Sequence, residues 1–174
     1  QYNNINIYKS EIELCKIFLN YDSRNFHCWN YRRWLLIQSD YDRLQAGIQF
    51  TLEKINQNFS NYSAWHERSV CVLELIQQQQ NDINDINDKQ QHNLNNINTI
   101  CSEFKLVLNG IYTSPEDQSI WIYTYWLMKV AKQYQHHQNI IDSISGIISA
   151  CIELMSVEDE KVFSFPFFFD LHGV

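Results

Sequence analysis

Apolar residues recur through most of the chain at the three- and four-residue steps that place side chains on one face of an α-helix. Four segments show this pattern, and their apolar positions are Ile12, Cys15, Phe18 and Leu19, then Leu44, Ile48, Leu52 and Ile55, then Ile97, Cys101, Phe104 and Leu108, and finally Ile141, Ile144, Ile148, Cys151, Ile152 and Met155. The pattern predicts one amphipathic helix in each segment.

A second set of helices is indicated by residue types that commonly begin a helix. Asn25 and Asn61 are strong N-cap residues, and the stretch Ser114-Pro115-Glu116-Asp117 offers a cap, a proline suited to the first helical position and acidic residues. A tryptophan follows each of these starts, at Trp29, Trp65 and Trp121. We therefore predict that each amphipathic helix is paired with a Trp-bearing helix.

The spacing of the tryptophans predicts a repeated unit of two helices. Trp29 and Trp65 are 36 residues apart, whereas Trp65 and Trp121 are 56 residues apart. The excess corresponds to an Asn- and Gln-rich insertion of about twenty residues at 77–98, which we expect to be a mobile loop because such a composition buries little apolar surface. Without the insertion the period is that of an α-solenoid, in which successive helix pairs stack on one another.

Composition agrees with this architecture. The 174 residues include only four Gly and two Pro, which leaves little of the turn chemistry that a many-stranded β-fold needs. We expect an all-α fold, specifically a right-handed α-α superhelix of helical hairpins that forms a single domain over residues 1–174, in a chain that is a fragment of a longer one. The W-x-x-L-G-x-x-Y pattern of tetratricopeptide repeats is absent.

One face of each Trp-bearing helix carries similar residue types. Helical positions zero, four and seven lie within about 40° of each other, so they form one stripe along the helix. The residues of this repeat motif are Asn25, Trp29, Arg32, Asn61, Trp65, Arg68, Asp117 and Trp121. We expect the Asn to cap the helix, the Trp to fill the space between helix pairs, and the Arg to stack on a ring while pairing with an oxygen.

His27 occupies a different kind of position from the stripe. It lies two residues after the cap Asn25, in the first helical turn, where exposed backbone amides and the helix dipole favour anions. Together with Arg24, which precedes the cap, His27 is a candidate for holding a diphosphate or a carboxylate. Alternatively, His27 is an ordinary surface or packing residue.

Charge and motif content exclude several classes of function. The formal net charge is -7 and the 13 Lys and Arg residues form no single stripe, so we expect no nucleic-acid partner. No apolar run approaches the roughly 18 to 20 residues of a membrane helix, so we expect a cytoplasmic protein that does not span a membrane. The five cysteines include no C-x-x-C pair, and the sequence contains no metal-ligand, nucleophile-elbow or phosphate-loop motif.

Three stretches together resemble a known family. They are R-N-F-H-C-W-N-Y-R-R-W at 24–34, N-F-S-N-Y-S-A-W-H-E-R-S at 58–69, and S-P-E-D-Q-S-I-W-I-Y-T-Y-W-L at 114–127. These sequence motifs are similar to those of protein prenyltransferase alpha subunits. Within that family they resemble the motifs of the Rab geranylgeranyltransferase (type II) alpha subunit more than those of the alpha subunit shared by farnesyltransferase and the type I enzyme. The resemblance covers roughly residues 11–132 and is interrupted by the insertion.

The resemblance implies a crescent of helical hairpins that wraps a separate beta subunit, and the beta subunit is expected to carry the catalytic zinc. This chain is then expected to bind no metal or cofactor itself and to be inactive alone. The implied reaction transfers geranylgeranyl from geranylgeranyl diphosphate, bound at the subunit interface, to C-terminal cysteines of Rab GTPases that an escort protein presents.

The resemblance also assigns a position to one turn of this chain. Asn25, Phe26 and His27 match the alpha-subunit turn that faces the active site near the diphosphate and lipid. Two alternatives remain at this point: the shared alpha subunit of farnesyltransferase and the type I enzyme, which would act on CaaX proteins, and a tetratricopeptide-like binding scaffold.

Overall fold

The structure, a computed structural model, describes residues 2–39, 42–81 and 86–157. Over these residues the chain forms seven α-helices and one short 3-10 helix, Lys132–Tyr134, with no strand. The α-helices are α1 (Tyr2–Tyr21), α2 (Phe26–Gln38), α3 (Arg43–Gln57), α4 (Tyr62–Asn81), α5 (Ile86–Thr113), α6 (Gln118–Ala131) and α7 (Gln138–Val157). The all-α prediction is confirmed.

The helices are arranged as stacked pairs. Within the pairs α1 packs on α2, α3 on α4, and α5 on α6, while α4 contacts α6 and α5 contacts α7 between neighbouring pairs. Because each pair mainly contacts its neighbours, the arrangement is the predicted α-α superhelix. Helices α2, α4 and α6 are the predicted Trp-bearing second helices.

Two hydrophobic clusters hold the pairs together. The larger cluster runs from α1 to α7 and includes Leu19, Trp65, Phe104 and Leu127, all of them buried. A smaller cluster between the first two helices consists of Ile12, Cys15, Leu35 and Leu36. The core therefore continues from one helix pair to the next instead of being closed within each pair.

The predicted core face of α7 is wrong for most of its residues. Cys151 is buried and Ile144 is half-buried, but Ile141, Ile148, Ile152 and Met155 are exposed. The buried face of α7 contains Ile140, Ile147, Ala150 and Cys151. Helix α7 is apolar on more than one side, so periodicity alone does not select the stripe that α5 covers.

The insertion is not a loop over most of its length, which corrects that prediction. Helix α4 continues to Asn81 and α5 begins at Ile86, so of residues 77–98 only 82–85 lie outside the described part of the chain. Glutamine is compatible with helices, and adding residues to an existing helix avoids the cost of nucleation. Asn96 is fully buried and its Nδ2 donates to the Tyr134 hydroxyl at 3.0 Å, so the insertion also contacts the next helical segment.

Helix α7 also corrects the expectation about apolar runs. Its segment 138–156 is long and apolar enough, by length and composition alone, to cross a membrane, with a mean hydropathy of 1.3. It is the one such helix found among the described residues. The mean hydropathy of this segment is high because Asp142 and Glu153 are its only charged residues and most of its other polar residues are serines. In the structure, α7 packs against α5.

Candidate functional site

Three turns that precede the second helices lie along one edge of the stack. They comprise residues 22–25, 58–61 and 114–117. A guanidinium nitrogen of Arg24 in the first turn donates to the carbonyl oxygen of Ser60 in the second turn at 3.2 Å. A shallow groove is lined by residues of all three turns, among them Arg24, Ser60 and Glu116. The beginnings of α2, α4 and α6 therefore form one continuous surface.

The predicted caps Asn25 and Asn61 stand at the starts of α2 and α4. The third Trp-bearing helix begins later than the Ser114-Pro115 start that the sequence predicted, since α6 begins at Gln118 and its cap is Asp117. The Oδ1 atoms of Asn25 and Asn61 accept hydrogen bonds from the backbone amides of Cys28 and Ala64 at 3.0 and 3.2 Å. In the third pair the Oδ1 of Asp117 accepts from the amide of Ser119 at 2.7 Å. Each side chain satisfies a backbone donor that the helix itself leaves unpaired.

The three tryptophans make the same hydrogen bond in each pair. The indole Nε1 of Trp29 donates to the carbonyl of Ser23 at 3.0 Å, and that of Trp65 donates to the carbonyl of Phe59 at 2.7 Å. Trp121 donates to the carbonyl of Pro115, also at 2.7 Å. In every case the acceptor lies six residues earlier, within the turn. The indoles thus fill the core and also fix the path of the turns on the exposed edge.

Arg32 lies between the first and second helix pairs. It is buried, its guanidinium carbon is 3.9 Å from the centre of the Phe50 ring, and its Nη2 is 3.5 Å from the carbonyl oxygen of Ala46. Burial lowers the pKa of Arg32. The side chain therefore stacks on the following helix, α3, while its buried Nε has no hydrogen-bond partner.

Arg68, the equivalent residue of the second pair, is more completely bonded. Its guanidinium binds both carboxylate oxygens of Glu103 on α5, at 2.7 and 2.8 Å, and also donates to the carbonyl of Ile48 and the hydroxyl of Thr51 on α3. It therefore links three helices. The hydroxyl of Tyr123 on α6 donates to the same carboxylate at 2.7 Å.

The charges of this cluster depend on one another. Burial alone would lower the pKa of Arg68, but its hydrogen bonds to the Glu103 carboxylate and the charge of that group raise it. Burial, followed by the negative charge of Glu103, holds the pKa of Tyr123 well above its ordinary value. The third pair has Thr124 in register with the two arginines, and its hydroxyl donates to the carbonyl of Ile120. The arginine link is therefore absent from the third repeat.

The candidate residues of the first turn are accessible at the edge of the stack. Phe26 and His27 are both exposed, and their ring centres are 3.9 Å apart. Asn25 is half-buried and serves as the cap. Arg24 is directed toward the next turn through its bond to Ser60. His27 is therefore available to a ligand or a partner at this edge, whereas Arg24 is already engaged in holding two turns together.

A groove separates α2 from α4. The sequence singled out Phe26 and Trp29 of its lining residues, but not the other six. It is lined by Phe26, Trp29, Asn30, Arg33, Tyr62, Ser63, His66 and Glu67. Arg33 and Glu67 form an ion pair across it, in which Arg33 Nε lies 3.0 Å from Glu67 Oε1 and Glu67 is buried. The sequence offers one signal for this ion pair: Arg33 and Glu67 are opposite charges 34 residues apart, on the second helices of adjacent repeats.

A second cleft, between α4 and α6, continues this surface. It is lined by Tyr62, Trp65, His66, Ser69, Ser119, Ile122, Tyr123 and Trp126. The rings of Trp65 and Tyr123 lie 4.8 Å apart, and both residues are buried. Tyr62 and Ile122, in contrast, are 49% and 43% exposed, so apolar atoms remain accessible at the mouth of the cleft.

Possible metal ligands are scattered over the described part of the chain. Among the described residues there is no group of three or more His, Cys, Asp or Glu side chains placed to hold a metal ion. This part of the chain therefore offers a binding edge and grooves, but no assembled metal centre.

Comparison with known proteins identifies the repeats. The family described as "Protein prenyltransferase alpha subunit repeat" matches residues 8–39 and 44–75. These ranges fall on the first two helix pairs, α1–α2 and α3–α4. The sequence resemblance is therefore confirmed by a family match that coincides with the structural units.

Several relatives are described as "Geranylgeranyl transferase type-2 subunit alpha". The protein of Homo sapiens is 40% identical over 118 residues, which are 68% of this chain and 19% of the relative. That of Rattus norvegicus is 40% identical over 124 residues, 71% of this chain and 20% of the relative. The Saccharomyces cerevisiae protein is 30% identical over 127 residues, 71% of this chain and 35% of the relative.

The matched region therefore spans only about a fifth to a third of these relatives' own length. Within that region the family repeats coincide with the first two helix pairs of the structure. The chain belongs to the protein prenyltransferase alpha subunit repeat family.

Proposed function

We propose that this chain is the alpha subunit, or part of the alpha subunit, of a heterodimeric protein geranylgeranyltransferase of type II. In this role it binds a beta subunit in the cytoplasm, and the complex transfers geranylgeranyl from geranylgeranyl diphosphate to C-terminal cysteines of Rab GTPases presented by an escort protein. The observation that carries the proposal is the coincidence of the matched family repeats with helix pairs whose second helices begin on one open edge.

The shape of the chain supports a role as a subunit. The three turns and the starts of α2, α4 and α6 form a long surface with exposed aromatic and aliphatic residues, among them Phe26, Tyr62 and Ile122. Exposed apolar patches of this kind are typical of surfaces that bind another protein. The zinc and the activation of the cysteine thiol are assigned to the beta subunit, as the family resemblance implies.

His27 is the residue of this chain that we assign to the lipid diphosphate. It is exposed in the first turn of α2, where the free amides and the helix dipole favour an anion. A positively polarised group beside the leaving diphosphate stabilises the charge that develops there during transfer.

Replacement of His27 tests this assignment. In the complex with the beta subunit, His27→Ala is expected to reduce lipid transfer by about 10- to 100-fold, the scale of one lost charge-stabilising contact. Because the side chain is exposed, the melting temperature should not change. His136→Ala, which alters an exposed histidine in the turn before α7, is the matched control. A wild-type rate for His27→Ala would remove His27 from the site.

The substrate is tested with the same complex. Transfer from geranylgeranyl diphosphate is measured with a Rab GTPase plus escort protein in one reaction and with a CaaX peptide in another. The proposal predicts that the Rab is modified and that the peptide is not. Preferential modification of the peptide would assign the chain to the farnesyltransferase and type I class instead.

A further inference from the structure

The two neighbouring grooves of the edge have the same construction but different chemistry. The α2/α4 groove is lined on α2 by residues 26, 29, 30 and 33, and the α4/α6 cleft is lined on α4 by residues 62, 65, 66 and 69. These positions are related by the 36-residue step between Trp29 and Trp65. The repeat therefore allows the two grooves to be compared position by position.

The comparison shows why one groove is crossed by charge and the other is apolar. Arg33 and Glu67 form an ion pair across the α2/α4 groove. In the α4/α6 cleft, the position of Arg33 is taken by Ser69 and that of Glu67 by Tyr123. The Ser69 hydroxyl bonds within its own helix, to the carbonyl of His66, and does not extend across the cleft.

The remaining lining of the cleft is suited to an apolar side chain. Trp65 and Tyr123 pack together at its base, while Tyr62, Ile122 and Trp126 retain accessible surface around it. The Tyr123 hydroxyl is already bound to Glu103 inside the core, so the phenol presents its ring and not a free donor. Water in such a cleft has few polar partners, and its replacement by an apolar group is favourable.

The open end of the cleft carries more acidic than basic side chains. Tyr62, Ser119 and Ile122 line the cleft and also line the adjoining groove, which contains two carboxylates, Glu116 and Asp117, and one guanidinium, Arg24. The chain as a whole has a net charge of -7. A segment that enters the cleft therefore meets carboxylates at its mouth, and complementary charge favours lysine or arginine beside the entering group.

We infer that the α4/α6 cleft is the anchor point for the beta subunit, receiving an apolar side chain that is flanked by basic residues of that subunit. The inference rests on the proposed function, because it takes the beta subunit as the partner. It separates this cleft from the α2/α4 groove, which the Arg33–Glu67 ion pair spans. Anchor side chains in desolvated pockets supply much of the binding energy of protein interfaces.

The experiment measures the affinity of the full chain for the type II beta subunit by titration calorimetry. Ser69→Arg places in the cleft the residue type found at the same position of the α2/α4 groove, where it can lie over the aromatic rings. Ile122→Ala removes one wall of the cleft without adding a group. Ser102→Arg on α5, at an exposed serine outside the cleft, is the matched control for charge and size.

Both cleft variants are expected to weaken binding at least about tenfold, with unchanged melting temperatures, while Ser102→Arg binds as the wild type does. Glu116→Lys is expected to weaken binding of the beta subunit, and more so at low salt than at high salt. Wild-type affinity of Ser69→Arg and Ile122→Ala for the beta subunit would overturn the inference while leaving the proposed function intact. So would loss of geranylgeranyl diphosphate binding in these variants with unchanged subunit affinity, because it would assign the cleft to the lipid. No binding by the wild-type chain would overturn the proposed function itself.

Discussion

Trp29, Trp65 and Trp121 each combine two roles that a smaller residue could not combine. Their rings fill the core between helix pairs, and their indole nitrogens bind a carbonyl six residues earlier in the turn. The sequence motif predicted inward-facing indoles, but it gave no sign of their hydrogen bonds to the turns. A backbone carbonyl is present at every residue, so residue types alone cannot show which one an indole will meet.

Trp65 is the best position at which to test this arrangement. It is 1% exposed, and Trp65→Ala is expected to lower the free energy of unfolding by about 3 to 5 kcal/mol, as truncation of a large core aromatic does. Trp34→Ala is the control, since Trp34 is 49% exposed and its loss leaves no comparable cavity. Denaturant unfolding measures both. Equal effects of the two substitutions would show that Trp65 is not the core residue described here.

The pair Arg68 and Glu103 illustrates the cost of leaving a buried charge without a partner. Arg68→Met removes the guanidinium from Glu103, which is 2% exposed, and is expected to cost about 3 to 5 kcal/mol of stability. Lys16→Ala, in the exposed pair with Glu53, should cost no more than about 1 kcal/mol.

A double variant separates the loss of packing from the unpaired charge. Arg68→Met combined with Glu103→Gln should recover part of the lost stability, because the carboxylate is then absent. Chemical denaturation of the single and double variants gives the comparison. If the double variant has a lower free energy of unfolding than Arg68→Met, the unpaired buried carboxylate is not what destabilises Arg68→Met.

At the scale of whole elements, the periodic apolar pattern was sufficient to predict the helices but not their full extent. The pairs α1–α2 and α3–α4 lie where the pattern and the caps placed them. The Asn- and Gln-rich insertion was expected to be a loop, yet it extends α4 and α5. Composition indicates whether a segment could fold by itself. The insertion instead continues two existing helices, which avoids the cost of nucleation, and Asn96 bonds it to Tyr134.

The same limit explains the error in α7. Two apolar stripes run along this helix, and the sequence offers no reason to prefer the stripe through Ile141 over the one through Ile140. Contact with α5 decides between them, and that contact joins residues far apart in the chain. Periodicity thus predicts the existence of a helix better than it predicts its buried side.

A proline in the insertion tests its helical state. Asn93 is exposed in the interior of α5, so Asn93→Pro is expected to break a helical hydrogen bond and cost about 3 kcal/mol of stability. Asn93→Ala removes the same side chain but retains the backbone donor, and it should have little effect. Thermal unfolding followed by circular dichroism compares the two. Tolerance of the proline would support the loop that the composition predicted.

At the scale of the whole molecule, the stack has an exposed edge formed by three turns and three helix starts. The family could be recognised from the repeated motifs at 24–34, 58–69 and 114–127, and the family match covers the first two repeats. The grooves on this edge could not be recognised, because Arg33, Glu67, Ser69 and Tyr123 acquire meaning only when adjacent repeats are superimposed. A surface of this kind is suited to binding and positioning another molecule.

The division of labour between the two proposed subunits can be measured as geranylgeranyl transfer by this chain, by the type II beta subunit, and by the two mixed together. Labelled geranylgeranyl diphosphate is the donor, and a Rab GTPase with its escort protein is the acceptor. We expect no transfer by either subunit alone and labelled Rab only in the mixture, with both subunits eluting as one complex. Transfer by this chain alone, or by the beta subunit alone at the rate of the mixture, would contradict this division of labour.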